Sequence, residues 1–259
     1  MWTRVKAGLG LAAPRPVGKP GARAYAVGDV HGCLTQLDHM LAAIEADIAA
    51  HPAEATYIVM LGDLIDRGPD SRGVIERLLH YRHPAAELVL LAGNHEEFLL
   101  RIMAGTPDLL HRWLDFGGSE FVSSYGERPE RLFAMEDLEA AAAIRRIVPE
   151  RHRAFVEGFG DSFRFGDYLF VHAGIRPGVP LQRQTANDLR WIREPFLSDR
   201  HDHGFVVIHG HTIAEKIVER ANRIGIDTGA YRTGVLTAAV IDGEERRFIQ
   251  VDAQGPVTS

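Results

Sequence analysis

Tyr57-Ile-Val-Met-Leu61 runs straight into Gly62-Asp63-Leu64-Ile65-Asp66-Arg67-Gly68. The first five residues read as a buried strand. The next seven bring two carboxylates and a guanidinium between two glycines, where the backbone can turn sharply and come close to a ligand. Carboxylates at the end of an apolar strand are costly unless something positive meets them. Arg67 is one such partner, so the stretch alone is only suggestive. Its weight comes from other strand ends that break off in the same way.

Upstream, Arg23–Val27 reads as a strand ended by Gly28-Asp29-Val30-His31-Gly32. Leu34, Leu37, Leu41, Ile44 and Ile48 then recur at helical steps, until His51-Pro52 stops the helix. Downstream, Asp70 or Ser71 caps a helix through about Arg82, and the strand Glu87–Ala92 breaks at Gly93-Asn94-His95-Glu96. Strand and helix in alternation predict a parallel sheet covered by helices, with ligands outside the carboxyl ends of its strands. Residues 96–160 carry helices without convincing strands, at Pro107–Asp115, Gly118–Tyr125 and Met135–Val148, and read as a helical insertion beside the site. Strands resume at Asp167–Val171, ending in His172-Ala-Gly174, and at Gly204–Ile208, ending in His209-Gly-His-Thr212. Arg223–Ile226 leads to Asp227-Thr-Gly229, and Val235–Ile241 with Arg246–Val251 form a hairpin turning at Asp242-Gly243.

A chain of 259 residues can bury a substantial core as one domain, here 23–259, after a flexible lead-in over 1–22 rich in Gly, Pro and basic residues. With 29 basic against 35 acidic residues the formal charge is −6, and no basic stripe marks a nucleic-acid partner. The single cysteine, Cys33, rules out an intrachain disulfide and suits a reducing compartment. Arg4 and Lys6 before Ala7–Ala13 imitate a signal peptide, but that apolar part is short and holds two glycines. No apolar run approaches a membrane span. The expected location is the cytoplasm.

The strand ends gather Asp29, His31, Asp63, Asn94, His172 and His209 or His211. Singly, each is an ordinary turn or cap residue. Together they form a mixed oxygen and nitrogen set that suits Mn, Fe or Zn. Two divalent ions about 3.5–4 Å apart, sharing one carboxylate, would use the whole set.

These motifs, in this order, resemble the phosphoprotein phosphatase family of calcineurin-like two-metal enzymes, most of all its bacterial and phage serine/threonine phosphatases. The resemblance runs from about residue 25 to 231. It implies an α/β (layered α+β) fold: a central β-sandwich of mixed sheets flanked by helices. The residues themselves support only a layered α/β arrangement with the C-terminal hairpin. The resemblance further implies that Asp29 and His31 hold one metal, Asp63 bridges, and Asn94, His172 and His211 hold the other, manganese being the first choice. A phosphomonoester would bind through Arg67 and Arg193, with Tyr231 as a further contact. In-line attack by a metal-bound hydroxide then needs no covalent enzyme intermediate. His95 would protonate the leaving oxygen, oriented by Asp66, while Glu96 and Asp227 support from behind. The expected substrate is a phosphoprotein or a phosphorylated small molecule. The competing expectation is a symmetrical diadenosine tetraphosphate hydrolase. That branch typically reads Gly-Asp-x-Val-Ala-Arg-Gly, whereas this chain has Asp66.

Overall fold

The computed structural model describes residues 15–257. Strands and helices alternate at first: β1 (Ala22–Val27), α1 (Leu34–Ala50), β2 (Ala55–Met60), α2 (Ser71–Leu79), β3 (Glu87–Leu90) and α3 (Asn94–Met103). Short helices follow: α4 (Leu110–Trp113), α5 (Ser119–Ser124), α6 (Pro129–Phe133), α7 (Asp137–Ile147) and α8 (Glu150–Glu157). The rest comprises β4 (Ser162–Phe165), β5 (Tyr168–Val171), α9 (Ala186–Trp191), β6 (Val206–His209), β7 (Val218–Glu219) and β8 (Arg223–Gly225). It ends with α10 (Ala230–Thr233), β9 (Leu236–Asp242), β10 (Glu245–Asp252) and β11 (Gly255–Pro256).

Among the described residues the strands form two mixed sheets, ordered β11-β10-β9-β1-β2-β3 and β4-β5-β6-β8-β7. The alternating side chains of each strand divide the core into layers. Ala24, Ala26, Val59 and Leu61 of the first sheet meet Phe165, Phe170, Ile208 and Ile224 of the second. Small residues on one side leave room for the large rings on the other. Tyr25, Val27, Ile58 and Met60 point the opposite way, onto Leu37, Leu41 and Ile44 of α1. On the outer face of the second sheet, Leu169, Val171 and Val207 pack on Leu189 and Phe196. The expected sandwich flanked by helices is present.

Some boundaries differ from the sequence reading. α2 stops at Leu79 rather than near Arg82, because the Arg82 guanidinium itself takes up the Leu79 and Tyr81 carbonyls at the helix end. β3 ends at Leu90, and Leu91 makes only an isolated bridge to Gly160. The helix expected over Pro107–Asp115 shortens to α4 and passes into a widened turn, Leu114–Gly118, where Gly117 has φ 113°. Of the expected lead-in, residues 1–14 lie outside the described residues. Val17 and Gly18 are not loose: their amides bond Asp167 Oδ2 (3.0 Å) and the Gly243 carbonyl (2.7 Å). No helix among the described residues is long and apolar enough to cross a membrane.

This topology brings the carboxyl ends of β1, β2, β3, β5, β6 and β8 to one edge of the sandwich. There the polar motifs meet.

Candidate active site

The turns that end these strands are strained where the chemistry sits. His31 (φ 45°), Asp63 (φ 48°), Asp66 (φ 70°), Arg67 (φ 65°) and His211 (φ 63°) all adopt left-handed backbone. Non-glycine residues occupy that region at a cost, which the surrounding bonds must outweigh. Glycines make room for the carboxylates. A Cβ on Gly93 would lie 2.1 Å from Asp63 Oδ1, and one on Gly210 would lie 1.9 Å from Asp29 Oδ1.

Glu96, on the first turn of α3, ties two of these turns together. Its fully buried carboxylate accepts the amides of Asp63 (2.9 Å), Leu64 (2.8 Å) and Gly93 (2.8 Å). Asp63 answers by accepting the His95 amide on Oδ1 at 3.0 Å, which leaves Oδ2 facing the cavity side chains. Burial, then the Asp63 charge, raises the Glu96 pKa.

The imidazoles are aimed by carbonyls of the same loop. His31 Nδ1 donates to the Ile65 carbonyl (2.8 Å) and His172 Nδ1 to the Leu61 carbonyl (2.9 Å). Each thereby presents Nε2 inward, as imidazoles that hold metals do. Asp63 Oδ2 lies 3.6 Å from His31 Nε2, 3.3 Å from His172 Nε2 and 3.9 Å from His95 Nε2. Asn94 Oδ1 lies 3.1 Å from His172 Nε2. Two groups, His31 with Asp63 and His95, and Asp63 with His172 and His211, bring one potential ligand atom from each member within 4.8 Å of the others. Asp63 belongs to both. Asp29 belongs to neither and instead accepts the His211 amide, at 3.2 and 3.1 Å.

The charges point the same way. Burial, then Asp227 and Asp63, holds the Asp29 carboxyl well above the usual range. Burial also raises Asp227, whose Oδ1 accepts the Gly229 amide at 2.9 Å while Oδ2 is buried without a partner. For Asp63 burial is outweighed by the neighbouring imidazoles, which keep it well below that range. His211 Nε2 is likewise buried and unpartnered, and burial lowers its pKa to about 2, leaving a free lone pair. Buried carboxylates, an amide oxygen and imidazole lone pairs facing one another are what a divalent cation would satisfy. The donor set fits. His209 stands apart: its Nδ1 donates to the Gly210 carbonyl (3.0 Å) and its ring packs edge-on against Phe196.

Beside this cluster, His95 Nδ1 donates to Asp66 Oδ2 at 2.6 Å. Burial alone would lower the His95 pKa, but Asp63 and Asp66 outweigh it and raise it. A protonated His95 offers a proton on Nε2 and no lone pair to a metal. Arg67 Nη1 donates to His31 Nε2 (3.0 Å), and its guanidinium lies over the Tyr231 ring at 5.0 Å. Holding a cation and accepting from Arg67 are therefore alternatives for that His31 lone pair. Arg193 lies beside His211, its Nη2 3.4 Å from the His211 carbonyl. Apart from His209, the residues singled out from the sequence thus lie at this edge.

The sequence reading missed Trp113 and the turn after it. The Trp113 indole donates to Asp66 Oδ2 at 2.9 Å, and the Gly117 carbonyl accepts the Arg67 amide at 3.0 Å. A tryptophan followed by two glycines in a helical stretch carries no sign of such contacts.

A calcineurin-like phosphoesterase family profile matches residues 22–232. The serine/threonine-protein phosphatase 1 of Salmonella typhimurium is 32% identical over 225 residues, covering 84% of this chain and 91% of that one. A symmetrical bis(5'-nucleosyl)-tetraphosphatase of Methylococcus capsulatus is 31% identical over 153 residues. That match covers 59% of this chain but only 43% of the relative. A solved structure provisionally described as a diadenosine tetraphosphatase superposes with TM-score 0.62 at 22% identity, covering 90% of this chain and 95% of that one, and it speaks to the fold. With a profile spanning most of its length and a relative similar nearly end to end, the chain belongs to the calcineurin-like phosphoesterase family and is a metallophosphoesterase.

Proposed function

We propose that this enzyme hydrolyses phosphomonoesters, acting as a serine/threonine protein phosphatase of the cytoplasm with manganese as its metal. In this reading Asp29 and His31 would hold one ion, Asn94, His172 and His211 would hold the other, and Asp63 would serve both. Bound ions would neutralise the phosphoryl oxygens and acidify a water at neutral pH. The chain's own residues do the rest. Arg67 and Arg193 present planar forks to the phosphate. His95 gives its Nε2 proton to the departing serine or threonine oxygen, while Asp66 stabilises the imidazolium. Asp227 and Glu96 keep the turns and their charges in place.

The observation that carries this reading is the buried Asp66–His95 pair at 2.6 Å, set beside the cluster around Asp63. An alkoxide leaving group is strongly basic and needs a proton; a phosphate leaving from a dinucleotide does not. The similarity to the Methylococcus capsulatus tetraphosphatase favours a second reading, hydrolysis of diadenosine tetraphosphate. Paired assays in Mn²⁺ with a phosphothreonine peptide and with diadenosine tetraphosphate decide between them. Preference for the peptide, as kcat/KM, supports the phosphatase; preference for the dinucleotide overturns it.

A further inference from the structure

The helical segment after α3 reaches into the site at two points. Trp113, at the end of α4, is fully buried, and its indole N–H bonds Asp66 Oδ2, the same oxygen that accepts from His95. The other oxygen, Asp66 Oδ1, is buried without a partner. A carboxylate's terminal torsion is soft, so one hydrogen bond does not fix its plane. Here two donors converge on one oxygen from different directions, and the carboxylate cannot turn without losing both. The widened turn that follows puts the Gly117 carbonyl on the Arg67 amide (3.0 Å) and the Phe116 carbonyl 3.4 Å from Arg67 Nε. A Cβ on Gly117 would lie 2.6 Å from the Arg67 amide nitrogen, so the turn fits closely over Arg67.

We propose that Trp113 is a positioning residue for proton delivery, its indole N–H fixing Asp66 and through it the His95 imidazole, so that the segment Leu110–Gly118 sets the geometry of the leaving-group proton. The inference rests on the reading of His95 as general acid. It gives the segment a chemical task beyond scaffolding. Helix α5, next in the chain, is held separately by the Tyr125 hydroxyl against His152 Nδ1 (2.9 Å), and Trp113 packs on its Phe121 at 5.6 Å between ring centres.

The test compares Trp113→Phe, which keeps an apolar ring and removes the N–H, with Asp66→Asn and Tyr125→Phe. Each is assayed on p-nitrophenyl phosphate, whose leaving group needs no proton, and on an alkyl phosphate, whose leaving group does. For Trp113→Phe we expect kcat on the alkyl ester to fall about tenfold, a fraction of what a general acid contributes. KM and turnover of the aryl ester should stay within about twofold, since neither depends on the proton. Tyr125→Phe should lower Tm and leave the alkyl-to-aryl ratio unchanged. An equal loss on both esters, or no loss, for Trp113→Phe while Asp66→Asn discriminates between them overturns the inference alone. Absence of discrimination in Asp66→Asn removes the general-acid reading and the inference with it. Should Trp113→Phe not fold, the indole N–H proton resonance of the parent protein serves. A shift of the Trp113 resonance in Asp66→Asn supports the coupling, and an unmoved resonance overturns it.

Discussion

At the scale of single residues, the site depends on groups that bond backbone rather than ligand. Glu96 is the clearest, because one carboxylate holds the amides of Asp63, Leu64 and Gly93. Glu96→Gln replaces one accepting oxygen with an NH₂ that faces donors. We expect unfolding to become easier by about 1–3 kcal/mol, the cost of buried amides left unpaired. Thermal melting checks this, and an unchanged Tm would show that the clamp contributes little. In the sequence Glu96 read only as support from behind. What hid its role is distance along the chain: a residue at position 96 bonds amides more than thirty positions earlier, and no local pattern records that. Asp63, His31 and His172 were legible for the opposite reason. Each lies in a turn that follows an apolar strand, and although one such residue is ordinary, several breaks of this kind together mark the edge where ligands gather.

At the scale of elements, α1 was legible nearly to the residue, because its apolar positions repeat over 17 residues and His51-Pro52 closes it. β4, β7, β11, α9 and α10 were missed because runs of two to six residues give no period to read. α1 docks onto the first sheet partly through Asp47, which accepts from the Tyr25 hydroxyl on β1 and from Arg247 on β10. Burial alone would raise the Asp47 pKa, but the Tyr25 and Arg247 bonds outweigh it and lower it. A carboxyl depressed in the folded state adds stability above its unfolded pKa of about 4, and that stability is lost as the pH falls through the folded value. Asp47→Asn should therefore lower stability at pH 7 by about 1 kcal/mol after solvent screening. The gap between variant and parent should close below pH 4. Urea titrations at pH 7 and pH 3 measure both gaps; equal gaps would deny Asp47 this role.

At the scale of the whole molecule, two sheets built from distant stretches of chain aim their strand ends at one edge. The layered α/β character was legible from alternation. The sandwich was not, because pairing β1 with β9 is a long-range choice that no local pattern expresses. Its core is large, so removing metal should abolish turnover without unfolding the chain. With a chelator, far-UV circular dichroism should stay that of a folded protein while Tm falls, since ligands that bind only the folded state stabilise it. Collapse of the spectrum would mean that the ions hold the fold itself.

On the proposed reading the strand ends form one two-ion site that shares Asp63. The most direct measurement is metal content per chain by mass spectrometry after manganese loading and gel filtration, for the parent protein and Asp63→Asn. We expect two ions in the parent, and less than one ion with turnover lost in Asp63→Asn, because one change would weaken both positions. Two ions and full turnover in Asp63→Asn, or a parent that holds at most one, would contradict it.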